Sequence, residues 1–286
     1  MDEFTAVMKA RELVRKAGIL SAPVDTKAYL PHVHAKLKVD KTMGDGEAGS
    51  TFEISGTYYI SINGNERPER QRFTTCHEIA HIVLALPSEH AHGTWWSYAK
   101  RSPNEILCDT FAAELLLPHK LFKPLVDDTQ FGFKAIGGLA KDFETSLTAT
   151  ASRFATLSDA PCAFVLSEGG CVRYAVMSPA LREVKAYVAR EPLPDNCQAE
   201  ALRRGNPYEG PAEIPADLWF QDWRRGGTLV EDTRYSSEWD QTLTLLWFED
   251  EEVPEVKRDH EDRASDDEGL AELDGILPWP GRKRRR

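Results

Sequence analysis

The N-terminal part of the chain changes from helical to strand-like hydrophobic spacing. Residues 6–18 repeat apolar side chains at the spacing of an amphipathic helix, and Gly18 suits its C-terminal cap. A short second helix is predicted behind Asp25 as its N-cap, and Pro31 should end it. Residues 36–62 instead contain short β-branched and aromatic runs between glycine-rich turns. We therefore expect two helices followed by a small antiparallel sheet.

Two longer helical patterns follow this sheet. The first covers residues 72–86, with an apolar body that stops at Pro87. The second covers residues 104–117 and is rich in alanine and leucine. Pro103 suits its first turn, and Pro118 ends it. Both segments are predicted to be helices.

Three shorter helices are predicted next, over residues 119–126, 133–143 and 147–157, with Ser146 as the N-cap of the last. The spacing within the last two resembles that of a helix-turn-helix. A helix that reads DNA needs basic and amide side chains, whereas this last helix offers mostly threonine, serine and alanine. We therefore favour a packing module and keep DNA binding as the minor alternative.

Beyond residue 158 the pattern becomes that of an α+β domain. Residues 161–176 are typical of a β-hairpin with a Gly-Gly turn, and residues 241–248 have the apolar centre of a central strand. An ordinary core explains the four tryptophans of this region better than a ligand pocket does: Trp219, Trp223, Trp239 and Trp247. From Glu249 the chain is strongly acidic and ends on a basic run, as expected of a solvated tail.

Composition restricts the classes of function that these elements can serve. The 286 residues, 41% hydrophobic and 28% charged, are typical of a soluble globular protein with more than one domain. The net charge of −11 argues against broad affinity for nucleic-acid phosphates. The N-terminus lacks the pattern of an export signal, and five irregularly spaced cysteines favour reduced thiols. We therefore expect a cytoplasmic protein without a membrane span.

The candidate chemistry is concentrated on the two long helices. The sequence His77-Glu78-Ile79-Ala80-His81 places two imidazoles one turn apart on one helix face, where both can reach a single cation. Glu78 points beside that cation, so it is placed to act on water rather than to bind the metal. Glu105 and Asp109 lie one turn apart on the second helix. The alternative is a helix with two ordinary histidines, and the matched second helix disfavours it.

This pair of helices resembles the gluzincins, zinc hydrolases in which a second helix brings a glutamate ligand. Four residues later, that helix brings an aspartate that holds a ligand histidine. The resemblance implies that His77, His81 and Glu105 bind the metal and that Asp109 fixes an imidazole. We expect Zn²⁺, with Mn²⁺ as the alternative.

The order of elements narrows the resemblance. An Ala-Pro-Val-Asp turn at 22–25, a short sheet, Gln71-Arg72-Phe73-Thr74 before the histidine motif and the run 105–118 are together similar to the ImmA/IrrE family of bacterial and phage metallopeptidases. Characterised members cut helix-turn-helix transcriptional repressors, so the resemblance implies such a substrate. Cys76 and Cys108 depart from the family pattern. Cys76 faces about 100° away from His77, which favours packing, while the role of Cys108 stays open.

The fold implied by this resemblance is α+β with four parts. Residues 1–125 form a zincin-like metallopeptidase domain with the small antiparallel sheet, and residues 126–158 form a helical, helix-turn-helix-like segment. Residues 159–250 form an α+β domain of the GAF type, the sensor found in some members, and residues 251–286 form the acidic tail with its basic end.

The predicted function is that of a cytoplasmic zinc-dependent endopeptidase in a stress or mobile-element response. Glu78 would take the proton of the attacking water and pass it to the leaving amine. One alternative is a non-catalytic metal-binding regulator that binds a repressor or toxin, and the intact Glu78 argues against it. Another is a ligand-gated DNA-binding protein that uses the central helices, and the lack of a basic face on these helices argues against it. The residue that stabilises the oxyanion is left open among five: Tyr58, Tyr59, His90, His92 and Tyr98.

Overall fold

Helix α1, Glu3–Lys16, begins the computed structural model, which describes residues 1–44, 46–87, 102–189, 192–223 and 225–249. Asp2 caps this helix by accepting a hydrogen bond from the amide of Thr5 at 2.9 Å. The helix buries one apolar face, which carries Ala6, Ala10 and Leu13. The amphipathic helix predicted over 6–18 is confirmed, with its start three residues earlier.

The short helix behind Asp25 is a 3-10 helix, Thr26–Val33, and Asp25 caps it by accepting from the amide of Lys27. The prediction that Pro31 ends this helix is wrong, because the helix continues to Val33. Proline lacks an amide hydrogen but keeps its carbonyl. The last turn uses that carbonyl, since the amide of His34 donates to the carbonyls of Leu30 and Pro31.

The small sheet contains β1, Ala35–Asp40; β2, Gly49–Ile54; and β3, Thr57–Asn63, in the order β1-β3-β2. Strand β2 runs antiparallel to β3, but β1 runs parallel to β3, so the prediction of an antiparallel sheet is wrong for one of its two pairs. The reason is burial. Strand β3 carries the buried Ile60 and Ile62 and takes the central position. After β1 the chain therefore forms β2 at the far edge of the sheet, and β3 then fills the central position between them. This order makes β3 parallel to β1.

Five helices follow among the described residues, with bounds close to those predicted: α2, Pro68–Leu84; α3, Pro103–Leu116; α4, His119–Asp128; α5, Phe133–Phe143; and α6, Leu147–Leu157. Pro68 and Pro103 stand in the first turns of α2 and α3, where no amide hydrogen is needed. The predicted cap of α6 is confirmed, because Ser146 accepts from the amide of Ala149 at 3.1 Å.

The remaining elements of the described residues are β4, Cys162–Glu168; β5, Cys171–Met177; α7, Pro179–Glu183; β6, Tyr187–Val188; α8, Gln198–Arg203; β7, Ala212–Pro215; a 3-10 helix, Ala216–Leu218; β8, Phe220–Gln221; β9, Thr228–Ser236; and β10, Gln241–Trp247. Five of these strands form one sheet in the order β5-β4-β10-β9-β7, and every pair in it is antiparallel. The predicted hairpin and the central position of the last strand are confirmed.

Both faces of the five-stranded sheet are covered. Alternate residues of β4, such as Phe164 and Leu166, belong to a core that also contains helices α1 to α6. Their neighbours, such as Val165, belong to a second core with α7, α8 and the short strands. This two-sided burial explains why β4 is apolar at every position from Cys162 to Leu166.

The described residues, which end at Glu249, belong to one compact unit. One face of the five-stranded sheet shares a core with the helical segment, since Phe131 stacks on Trp247 with ring centroids 5.5 Å apart. The predicted boundary after residue 158 and the GAF and helix-turn-helix resemblances stay predictions. The predicted tail, 251–286, lies outside the described residues. None of the described helices combines the length and hydropathy needed to cross a membrane.

Candidate metal centre

Helix α2 carries the histidine motif in its second half. The helix packs against α3 and against strands β2 and β3, so His77, Glu78 and His81 are all buried, and Glu78 has no exposed surface. It ends at Ala85, which adopts a left-handed conformation with φ of 53°. This ending returns the chain to the site, because the carbonyl of Leu86 lies 3.1 Å from Nδ1 of His81.

Helix α3 brings the acidic residues to the same place. Its N-cap, Ser102, accepts a hydrogen bond from the amide of Glu105, which fixes Glu105 in the first turn. The Glu105 carboxylate lies 3.0 Å from Nε2 of His77 and 3.6 Å from Nε2 of His81. Asp109, one turn later, lies on the other side of the His77 ring, with Oδ1 3.0 Å from Nδ1.

The distances between the three candidate ligands fit one tetrahedral metal ion. Ligand atoms about 2.0–2.1 Å from a tetrahedral metal lie about 3.3–3.4 Å from one another. The Nε2 atoms of His77 and His81 are 3.1 Å apart, and their separations from the Glu105 carboxylate are 3.0 Å and 3.6 Å. These three residues are buried, and one ligand atom from each lies within 4.8 Å of the others.

The contacts of the outward-facing ring nitrogens indicate which nitrogen of each imidazole would bind a metal ion. Nδ1 of His77 faces the Asp109 carboxylate and Nδ1 of His81 faces the Leu86 carbonyl, and both of these oxygens accept hydrogen bonds. With Nδ1 as the donor in these two contacts, each ring would direct the lone pair of Nε2 inward, as a metal ligand requires. Burial, followed by the neighbouring His77, holds the pKa of His81 below its usual range and keeps that ring neutral. Inward lone pairs beside a carboxylate repel one another unless a cation lies between them.

The catalytic candidate Glu78 is held by the small sheet. Thr51 of β2 donates a hydrogen bond from Oγ1 to Oε2 of Glu78 at 2.6 Å. Gly49, two residues earlier, lies so close that a Cβ there would be 2.6 Å from Cγ2 of Thr74 and 3.2 Å from Oε1 of Glu78. Sequence reasoning missed both contacts. A glycine inside a predicted strand, which often marks a close backbone approach, was the available signal.

The two cysteines near the site are not placed as ligands. Cys76 is fully buried, and burial raises the pKa of its thiol to about 12, as expected for packing. Cys108 has its sulfur 3.6 Å from Nδ1 of His81, the nitrogen that faces away from Glu105. Burial, with Glu105 second, raises the pKa of Cys108 to about 12, so the thiol stays protonated.

Two of the five candidates for stabilising an oxyanion, Tyr58 and Tyr59, lie among the described residues. Tyr59 points to the outer face of the small sheet, where it stacks on Phe52 at 5.5 Å. Tyr58 shares the inner face with the buried Ile60, and its role stays a prediction. The other three candidates lie outside the described residues: His90, His92 and Tyr98.

Helix α6 does not offer its arginine to DNA. Arg153, the basic residue of this helix, is buried against Glu114 of α3, and its Nε donates to the carbonyl of Leu117 at 3.3 Å. The buried pair supports the packing role expected for this segment.

Comparison with known proteins gives three kinds of similarity. Residues 33–155 match the Peptidase_M78 family, described as the IrrE N-terminal-like domain. A "Radiation response metalloprotease IrrE" from Deinococcus deserti is 31% identical over 192 residues, which are 61% of this chain and 66% of that protein. The protein of the same name from Deinococcus radiodurans is 30% identical over 123 residues, 42% of this chain and 34% of that protein. The chain thus aligns with just under two thirds of the first relative and a third of the second.

A solved structure supports the fold over a longer stretch. A "Mycobacterium tuberculosis transcriptional regulator" superposes with a TM-score of 0.56 at 13% identity, over 86% of this chain and 76% of that one. At this identity the match bears on the fold alone.

Proposed function

Residues 33–155 belong to the ImmA/IrrE family of metallopeptidases, and from this membership we propose that the chain is a metal-dependent endopeptidase. One observation carries the proposal. The Nε2 atoms of His77 and His81 and the Glu105 carboxylate are separated by distances that fit three ligands of one tetrahedral metal ion. Glu78, the residue after His77, is not among these three candidate ligands and is left to act as the base.

Zn²⁺ is the metal that this donor set favours. Two imidazoles and one carboxylate form the usual protein ligands of catalytic zinc, and Mn²⁺ is the alternative. Asp109 and the Leu86 carbonyl hold the rings so that both Nε2 atoms point inward. When bound, the cation supplies Lewis-acid polarisation for hydrolysis of an amide bond.

Glu78 moves the proton in this proposal. Its carboxylate takes a proton from the attacking water and delivers it to the leaving amine nitrogen, so that one group serves as base and then as acid. Full burial excludes bulk water from the carboxylate, and the Thr51 hydroxyl holds one of its oxygens.

We infer that strand β2 holds the substrate. Among the described strands it pairs with β3 alone, so its other edge can accept an extended peptide by strand addition. Thr51 of the same strand contacts Glu78, so a peptide bound to that edge would lie beside the proposed base.

The substrate class that we propose is a helix-turn-helix transcriptional repressor, cut in a stress or mobile-element response. The family resemblance supports the repressor, and the relatives named for a radiation response support the stress context. A repressor substrate also implies the cytoplasmic location expected from the sequence.

The experiment is a cleavage assay with metal analysis of the same samples. The substrate is the helix-turn-helix repressor encoded nearest to this chain, with casein as a general second substrate. Glu78→Gln keeps the size of the side chain but cannot accept the proton, so it should keep its metal while turnover falls by about two to four orders of magnitude. Chelation should abolish cleavage by the unaltered chain. Glu12→Gln, the same change on an exposed carboxylate of α1, is the control.

Two outcomes decide against the proposal. Cleavage by Glu78→Gln at the control rate would refute the assigned mechanism. A chain that binds metal and repressor but cuts neither protein would support the alternative of a non-catalytic regulator.

A further inference from the structure

The hydrogen bond between Thr51 and Glu78 joins strand β2, which is proposed to hold the peptide, to helix α2, which carries the proposed base. In the β2–β3 register Thr51 lies opposite the fully buried Ile60, so its side chain faces α2. Phe52, the next residue, points outward and stacks on Tyr59. Strand alternation therefore sends the Thr51 hydroxyl to the side of the sheet where the candidate metal centre lies.

The direction of this hydrogen bond is set by chemistry. A carboxylate only accepts, so the Thr51 hydroxyl donates, and the 2.6 Å separation is in the range of a hydrogen bond from a hydroxyl to a charged oxygen. Glu78 has no exposed surface, so protein donors rather than bulk water must satisfy its carboxylate. Such a bond restricts the side-chain torsions of the glutamate.

The second oxygen of Glu78 is confined by the same strand. At Gly49 an added Cβ would lie 3.2 Å from Oε1 of Glu78 and 2.6 Å from Cγ2 of Thr74. Strand β2 thus lies against α2 at the level of the base. One carboxylate oxygen meets the Thr51 hydroxyl, and the other lies beside the Gly49 backbone.

We propose that Thr51 is a positioning residue for the base, which holds the Glu78 carboxylate in the orientation needed for proton transfer. The proposal rests on the proposed function. Because Thr51 belongs to the strand whose other edge is placed to receive the peptide, one rigid element aligns both the base and the substrate. Thr51 itself touches neither the reacting bond nor the candidate ligands in this scheme.

The first test separates the hydroxyl from the shape of the side chain. Thr51→Val keeps the β-branched shape and removes the donor, whereas Thr51→Ser keeps the donor. With a repressor-derived peptide, Thr51→Val should lower kcat by about tenfold to a hundredfold and leave KM within about twofold. Thr51→Ser should recover most of the loss. Thr57→Val, on the outer face of the same sheet, is the matched control and should act like the unaltered chain.

The second test does not depend on turnover. Crystal structures of the zinc-loaded unaltered chain and of Thr51→Val should show the Glu78 carboxylate displaced by more than about 0.5 Å in the variant, a shift large enough to matter for catalysis. Metal content should be equal in both. This measurement decides the role of Thr51 even if the chain proves not to be a peptidase.

Three results would overturn the proposal. The first is a Thr51→Val enzyme with unchanged kcat. The second is a Thr51→Ser enzyme as slow as Thr51→Val, because the side-chain methyl rather than the hydroxyl would then matter. The third is an undisplaced Glu78 carboxylate in the variant crystal.

Discussion

The buried ion pair of Arg153 and Glu114 joins α6 to α3, the helix that carries the candidate ligand Glu105, and removal of one partner should strongly destabilise the fold. Their side chains are 7% and 1% exposed, and Glu114 also accepts from the amide of His119 at 2.9 Å and from Nε of Arg11 at 3.3 Å. Replacing Arg153 with methionine keeps much of the volume but leaves Glu114 buried without its nearest cation. Removing one partner of a buried pair costs about 3–5 kcal/mol.

The assay is urea denaturation of the full chain, with the free energy of unfolding taken by linear extrapolation. Arg204→Met is the matched control, because Arg204 pairs with Asp195 and Glu200 at the surface and is 57% exposed. Its loss should stay below about 1 kcal/mol. The double variant Arg153→Met with Glu114→Gln should be more stable than Arg153→Met alone, since no buried carboxylate then remains without its nearest cation. Equal losses for Arg153→Met and Arg204→Met would refute this reasoning.

Three further predictions concern stability. Ser146→Ala should cost about 1 kcal/mol by loss of the α6 cap, and Ser146→Thr should recover most of it in the same denaturation assay. Trp247→Ala should cost about 3–5 kcal/mol because this ring is buried, whereas Trp239→Ala, 50% exposed, should stay within about 0.5 kcal/mol. Equal effects would contradict the packing described. Burial, and then the Arg11 charge, hold the pKa of His119 below its usual 6.5. Its stabilising effect is therefore present above pH 6.5 and lost as the pH falls through the lowered value. His119→Gln should accordingly lose less stability than the unaltered chain between about pH 7 and pH 5, and an identical loss would show that His119 is not responsible.

The long helices and their chemistry were predictable from sequence because the signals are local. Proline marks the first turns of α2 and α3, and the spacing of His77 and His81 places both rings on one face within a single helix. The structure brings the Glu105 carboxylate and Asp109 to His77 from the second helix, as the gluzincin resemblance implied.

Features that depend on long-range pairing were not predictable in the same way. The parallel pairing of β1 with β3 follows from which strand buries most apolar surface, and single-strand patterns do not encode it. The contact of Thr51 with Glu78 joins residues 27 positions apart through the register of β2. The strand glycine Gly49 signals a close backbone approach there, but it does not identify the two partners. The exposure of Trp239 has the same origin, because this residue lies in the turn between β9 and β10, and an aromatic turn residue can face either the core or solvent.

The central claim is that His77, His81 and Glu105 hold one divalent metal, and anomalous X-ray diffraction tests it most directly. Crystals grown with zinc and measured on both sides of the zinc absorption edge should show one strong peak per chain. It should lie about 2.0–2.2 Å from both Nε2 atoms and from a Glu105 oxygen. A peak bound by other residues, or none between these three side chains at saturating zinc, would contradict the account.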